Sequence, residues 1–313
     1  MSDSDEKVDS HDSYFDEYQI HMAGNLTGKI RLINNDINND NKWRGWREIK
    51  NVFGYIVKHY FDGIDPREMK TSYEFNTHQV VIDMHAVNCS INGSFQDYLL
   101  RRIICEKQNN DFHDIRANDI VNSFEGESVE KEKLRVCVHN TTDISKKCFK
   151  ITKDIFLTSI CHSMSFGHTI SDSCKKEFCD YLDSHGVDLV SEYRKTIDEF
   201  IAEDEFVIHN PVVGGYIEEL GRGISADGDL IVGDCFYDIK ASKQKAFFTE
   251  EEYLLQVLGY VALMKNTEKD FSDHKITKVG IINVYNGTRV VYDISTLTDE
   301  HFMNLLKIFT GMI

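Results

Sequence analysis

The chain has 313 residues, is 41% hydrophobic and carries a formal net charge of −17, a globular composition with enough length for a large core. No apolar run approaches the ~18 residues of a membrane span, and the opening "MSDSDEKVDS" has no apolar secretory segment. Its eight cysteines include no CxxC pair, so they read as free thiols of a reduced, intracellular protein, cytoplasmic or nuclear, rather than as a disulfide framework or a zinc ribbon.

Residues 1 to 20 read as a disordered acidic tail, with seven acids between Asp3 and Glu17 against the single Lys7. The acidic total argues against a broad nucleic-acid surface, although part of that charge sits in the tail. From 21 to 313 no Pro- or Ser-rich linker marks a boundary, so one domain is expected. "WREIKNVFGYIVKHYF" places Ile49, Val52, Phe53, Ile56 and Val57 at helical spacing; Trp43 and Trp46 at its start are read first as packing against this helix and second as base-stacking residues. "HQVVIDMHAV" reads as a strand. "GSFQDYLLRRIICEKQ" (93 to 108) reads as a helix with Phe95, Leu99, Leu100 and Ile103 on its apolar side.

Residues from about 109 to 186 look like a partly helical insertion. It holds a strand at "KLRVCVHN" and helices at "DIFLTSICHSM" and "SCKKEFCDYL". Lys146, Lys147, Lys150 and Lys153 form the best basic cluster, read first as a solvated edge and second as a phosphate contact. Cys161, His162 and His168 are possible metal ligands, but their spacing fits no usual zinc pattern. Cys174 and Cys179 are read as core thiols. "VDLVSEYRKTIDEFIAE" is a helix with Leu189, Tyr193, Ile197 and Phe200 on one face.

From residue 206 the pattern changes to a strand at "FVIHNPVV", a hairpin at "DLIVGDCFYDIKAS" and a helix at "TEEEYLLQVLGYVALMKN". Two strands follow, "KVGIINVYNG" and "RVVYDIS", joined at "NG", and then a helix capped by Thr298 or Asp299. Interleaved strands and helices define an α/β class.

The hairpin holds the chemistry. If Gly233 and Asp234 form the turn, Val232 faces Cys235, Leu230 faces Tyr237, and Asp229 faces Asp238. Strand alternation then puts Lys240 on the face of Asp238. Opposed carboxylates repel and are relieved by sharing a proton or recruiting a cation; Mg²⁺ takes one or two carboxylates and keeps waters elsewhere. Asp234 belongs to the turn as a solvated aspartate. Asp227 could replace Asp229 if the turn were longer, and register favours Asp229. The bland alternative is a solvated hairpin with Lys240 as a surface partner, which the apolar flanks weaken. Gln256 and Tyr260, four apart, share a face of the following helix, while Leu255, Leu258 and Val261 read as core.

Asp229, Asp238-Ile239-Lys240 and Gln256-x-x-x-Tyr260, in that order, resemble the PD-(D/E)XK nuclease superfamily, specifically its RecB-like branch, over about residues 206 to 296. "FQDYLLRR" (95 to 102) is similar to a helix upstream in some relatives. The resemblance implies a mixed central sheet flanked by helices and Mg²⁺-dependent phosphodiester hydrolysis, with Mn²⁺ as a possible substitute. It also implies a nucleic-acid partner, DNA first. It assigns Asp229, Asp238 and the Ile239 carbonyl to the metal, Lys240 to the attacking water, and Gln256 and Tyr260 to support of the site. An acid or His on the helix before the first core strand is also implied, for which Glu192 and Glu199 are candidates. No cysteine follows Cys235, so no iron–sulfur cluster is expected. The rival readings are a catalytically inactive nuclease-fold protein that binds nucleic acid or a protein partner, and a structural protein with a vestigial site.

Overall fold

The structure, a computed structural model, describes residues 52–74, 89–109, 128–165, 170–202, 205–209, 211–240, 250–266, 275–284 and 287–310. The acidic tail, Trp43, Trp46, the strand expected at "HQVVIDMHAV" and His168 lie outside these residues.

The described chain opens with helix α1 (Val52–Tyr60), whose Phe53, Ile56 and Val57 are buried at the expected spacing. A short turn at Pro66–Met69 leads into strand β1 (Lys70–Glu74), which the sequence pattern did not reveal because all five residues are exposed. Among the described residues the helices α2 (Cys89–Gln108), α3 (Ser128–Thr142), α4 (Thr152–Ser165) and α5 (Asp172–Phe200) follow. Next come the short strand β2 (Val207–His209), the hairpin β3 (Val212–Ile217) and β4 (Arg222–Asp227), and the hairpin β5 (Leu230–Val232) and β6 (Cys235–Lys240). Helix α6 (Glu250–Lys265), strands β7 (Lys278–Asn283) and β8 (Thr288–Asp293) and helix α7 (Asp299–Phe309) complete the described chain.

Six strands form one mixed sheet in the order β1–β8–β7–β6–β5–β2, and β3 with β4 forms a separate ribbon. Every pair in the large sheet is antiparallel except β6–β7, which is parallel. A parallel pair needs a crossover, and α6 lies on the stretch that provides it. Period-two alternation divides the core. Ile231, Phe236, Ile281, Val290 and Tyr292 pack with α1, α6, α7 and the β3–β4 ribbon. Leu230, Val232, Cys235, Tyr237 and Ile239 pack on the opposite face with α2, α4 and α5. Helices therefore cover both faces around β5 and β6, and β6 is buried on both sides from Cys235 to Ile239.

Three expectations are corrected. "KLRVCVHN" is not a strand but part of α3. Its Leu134, Val136 and Val138 alternate like a strand, yet Val136 is 48% exposed, and the burial runs through Leu134, Cys137, Val138 and Thr141, which is helical spacing. The segments "SCKKEFCDYL" and "VDLVSEYRKTIDEFIAE" are one continuous helix, α5, that passes through Gly186. "FVIHNPVV" is two strands in different sheets, broken where Pro211 lacks an amide hydrogen for a ladder. Within the expected insertion, α4 and the first half of α5 pack in the same core as β5 and β6.

The expected cap of the last helix is present. Thr298 caps α7 and pairs reciprocally with His301. Cys174 and Cys179 are half-buried rather than fully in the core. The lysine cluster is partly neutralised, since Lys147 pairs with Glu106 and Lys153 with Asp183. Among the described residues no helix is long and apolar enough to cross a membrane.

Candidate active site

The site begins with the β5–β6 turn. Gly233 has φ of +56°, the left-handed conformation that such a turn requires and that a side chain disfavours. The register is the predicted one: Val232 faces Cys235, Ile231 faces Phe236 and Leu230 faces Tyr237. One step beyond the ladder, the Ile239 amide donates to Asp229 Oδ2 at 2.7 Å, which pins the Asp229 carboxylate against the C-terminal half of β6. Asp234 is less solvated than expected. It accepts a hydrogen bond from Thr277 Oγ1 and pairs with Lys278 at 3.1 Å. These contacts outweigh partial burial and hold its carboxyl below the usual range.

Asp238 is 2% exposed. Lys240 Nζ lies 2.7 Å from its Oδ2, and Gln256 Nε2 donates to its Oδ1 at 3.3 Å. The same Gln256 amide donates to Tyr260 Oη at 2.5 Å, and its Oε1 accepts from Lys240 Nζ at 3.3 Å. One glutamine thus links the lysine, the aspartate and the tyrosine, as the i, i+4 placement on α6 allows. The Lys240 ammonium also sits 4.8 Å from the centroid of the Tyr253 ring. Asp227 lies in β4 opposite Val212, in the separate ribbon, rather than in the β5–β6 pair.

A residue that the sequence reading missed lies on the helix beside this strand end. Helix α2 contacts β6, and its Asp97 lies close enough that the charge of Asp229 raises its pKa; burial is the larger cause of that rise. Asp97 in turn raises the pKa of Asp238. Arg101, one helical turn further along α2, donates from Nε to Asp97 Oδ1 at 2.8 Å and from its second nitrogen to Oδ2. Tyr98 Oη and His162 Nδ1 are 3.2 Å apart beside this pair. Of the two acids expected in the helix-borne role, Glu199 is exposed, and Glu192 is partly buried and bonded to Lys195. The signal that pointed to α2 was the "FQDYLLRR" stretch itself, in which Asp97 is the acid.

The electrostatics are those of carboxylates crowded together. Burial and the neighbouring Asp238 push Asp229 up to about 6, against the pull of Lys240 and the Ile239 amide. Burial raises Asp238 despite Lys240. Burial opposes the charge on Lys240, but Asp238 and Asp229 prevail and raise its pKa, so it stays an ammonium. His209, on β2 opposite Leu230, is pushed down to about 3 by burial and by Arg101, and neither ring nitrogen has a hydrogen-bond partner. It is a neutral neighbour.

The donor set suits a hard cation. Asp238 Oδ2 is enclosed and, apart from its ionic contact with Lys240, accepts no hydrogen bond of good geometry. The available donors are carboxylate oxygens, which favour Mg²⁺ or Mn²⁺ over thiolate- or imidazole-seeking metals. Among the described residues no group of three or more His, Cys, Asp or Glu is arranged as a ready-made metal cage; a two-carboxylate Mg²⁺ site completed by water needs none. In α/β sheets ligands bind beyond the carboxyl ends of the strands, and Asp238 to Lys240 occupy that end of β6.

No family model, curated protein or solved structure matches the chain. The α/β class, with a six-stranded mixed sheet between helices, therefore rests on the structure itself.

Proposed function

We propose that the protein is a Mg²⁺-dependent nuclease that hydrolyses phosphodiester bonds, DNA first, on a PD-(D/E)XK-type core of the RecB-like branch. The carrying observation is the convergence of Asp229, Asp238 and Lys240 at the carboxyl end of β6, with Gln256 and Tyr260 of α6 locking the lysine and the aspartate. The β5–β6 hairpin, the α6 crossover and the parallel β7 supply the scaffold that such a core needs.

In this reading Asp229 and Asp238 hold the divalent cation, with the Ile239 main chain alongside. When bound, that cation supplies a water of lowered pKa and neutralises charge building on the phosphate. The chain's own groups do the rest. Lys240, kept charged by its carboxylates, orients the attacking water and stabilises the oxyanion. Gln256 keeps Lys240 and Asp238 in register, and Tyr260 Oη fixes the orientation of that amide. Asp97, on the helix α2 that packs beside β6, is the helix-borne acid.

The rival, a nuclease-fold protein that binds nucleic acid or a protein partner without cutting, has no need of carboxylates crowded together in this way. The test is incubation of wild type and Asp238→Asn with single- and double-stranded DNA and RNA in Mg²⁺, Mn²⁺ or EDTA. Wild type is expected to cleave in metal and not in EDTA, and Asp238→Asn to stay folded and lose cleavage. An unfolded metal-free Asp238→Asn would make this aspartate a structural partner and defeat the assignment.

A further inference from the structure

Helices α2, α4 and α5 pack over β5 and β6, but further along the same face the sheet opens. On β8, Arg289, Val291 and Asp293 are half-buried, and on β1 Thr71 and Tyr73 are exposed. The register sets Ile239, Ile282, Arg289 and Tyr73 in one row across β6, β7, β8 and β1. With strands about 4.8 Å apart, Tyr73 stands about 14 Å from Ile239. Ile239 is the residue between Asp238 and Lys240, so the row ends at the candidate active site.

The far end of the row is built. Tyr73 is 44% exposed, and the Arg289 guanidinium lies 4.2 Å from its ring centroid. On its inner side Arg289 donates from Nη1 to Tyr237 Oη at 3.4 Å. Tyr237 is itself held down, its ring lying over Gly280, where a Cβ would come within 2.3 Å of it. A groove of about 280 Å³ opens beside these three side chains. An exposed ring with a planar cation against it suits a nucleobase and its phosphate, since bases stack on aromatic and guanidinium faces whatever their sequence. A base inside a duplex is already stacked on its neighbours, so an unpaired base is the better fit. The other end of the groove is unsuited to phosphate. There Lys278 is paired with Asp234 at 3.1 Å, and Asp293 and Glu205 add negative charge. That repulsion confines a strand to the row that leads towards Lys240.

We propose that Tyr73 and Arg289 form a stacking platform for an unpaired base, a second hold on a single-stranded nucleic acid whose phosphodiester lies at the Asp229–Asp238 site a few nucleotides away. The platform makes the substrate class single-stranded, and it rests on the nuclease reading above for what the strand reaches.

The test is fluorescence anisotropy of short labelled oligonucleotides, single- and double-stranded, DNA and RNA, with the full chain in EDTA at low salt. Wild type is expected to bind single strands more tightly than the duplex of the same length. Tyr73→Ala is expected to lose about tenfold in single-strand affinity and nothing on the duplex, and Tyr73→Trp to keep the wild-type affinity. Arg289→Gln is expected to flatten the salt dependence by about one phosphate contact. In Mg²⁺, single-turnover cleavage by Tyr73→Ala should need a higher half-saturating concentration and keep its maximal rate. Binding of DNA alone or of RNA alone names the sugar and supports the platform. Unchanged single-strand affinity in Tyr73→Ala, an equal loss on single strands and duplex, or a loss that Tyr73→Trp shares would overturn it. So would a wild type that binds no single strand or prefers duplex, a result that needs no variant to fold. The two readings fail separately: cleavage with binding that ignores Tyr73 removes only the platform. Tyr73-dependent binding without cleavage in Mg²⁺ or Mn²⁺ removes only the nuclease.

Discussion

Asp229 is the residue at which stability and function pull apart. Its pKa rises from 3.8 to about 6 because burial and Asp238 outweigh Lys240 and the Ile239 amide. A carboxyl that holds its proton more tightly when folded favours the folded chain at low pH; that advantage is lost as pH rises from about 4 through about 6. Asp229→Asn keeps an oxygen for the Ile239 amide and removes the ionisation. In EDTA it should leave melting unchanged near pH 4 and stabilise the chain by roughly 1–3 kcal/mol at pH 8, as measured by denaturant melts across that range. Equal stability changes at both pH values would mean that Asp229 is not strained by its charge. A smaller effect is expected at Tyr260, whose hydroxyl accepts from Gln256. Tyr260→Phe should cost about 1 kcal/mol and slow cleavage roughly tenfold, through a loosened Gln256 and hence a less well-held Lys240. Unchanged cleavage would remove Tyr260 from the site. The register that brings Asp229 to the β6 strand was legible in the sequence because a two-residue turn fixes register and register fixes faces. Asp97 was not, because nothing local ties a helix carboxylate to a hairpin far along the chain.

At the scale of elements, legibility follows periodicity. The β5–β6 hairpin announces itself by alternation and Gly233, and α2 by the burial of Phe95, Leu99, Leu100 and Ile103. Helix α3 deceived because Leu134, Val136 and Val138 share strand spacing while Leu134, Cys137, Val138 and Thr141 share helix spacing, and only packing against α4 decides between them. The continuity of α5 was hidden by Gly186, which reads as a breaker. The glycine is there for contact: a Cβ at this position would lie 2.8 Å from Thr152 Oγ1 at the start of α4. Helix propensity alone would make Gly186→Ala stabilising by about 1 kcal/mol. Thr152 is buried and β-branched and has little room to yield, so overpacking should prevail, with a net loss of about 1–2 kcal/mol. In a Thr152→Ala background the same substitution should stabilise, because the next-nearest Thr152 atom that remains, Cβ, is 3.5 Å away. Thermal melts of the two single variants and the double variant decide it, and additive losses would show that the contact is not the reason for the glycine.

For the whole molecule, the architecture explains why one small site can matter in a chain of net charge −17. The sheet carries Asp229, Asp238 and Lys240 at one strand end, α6 approaches from one face with Gln256 and Tyr260, and α2 from the other with Asp97 and Arg101. In the proposed reading a divalent cation held by Asp229 and Asp238 would offset their charge and favour phosphate, so metal and substrate are expected to depend on each other. The most direct measurement is single-turnover cleavage of an end-labelled DNA oligonucleotide by wild type and Lys240→Ala in Mg²⁺, with EDTA as the blank. The account predicts metal-dependent cleavage by wild type, and a loss of at least about a hundredfold in folded Lys240→Ala. Cleavage by Lys240→Ala at the wild-type rate, or none by wild type with DNA or RNA in either Mg²⁺ or Mn²⁺, would contradict it.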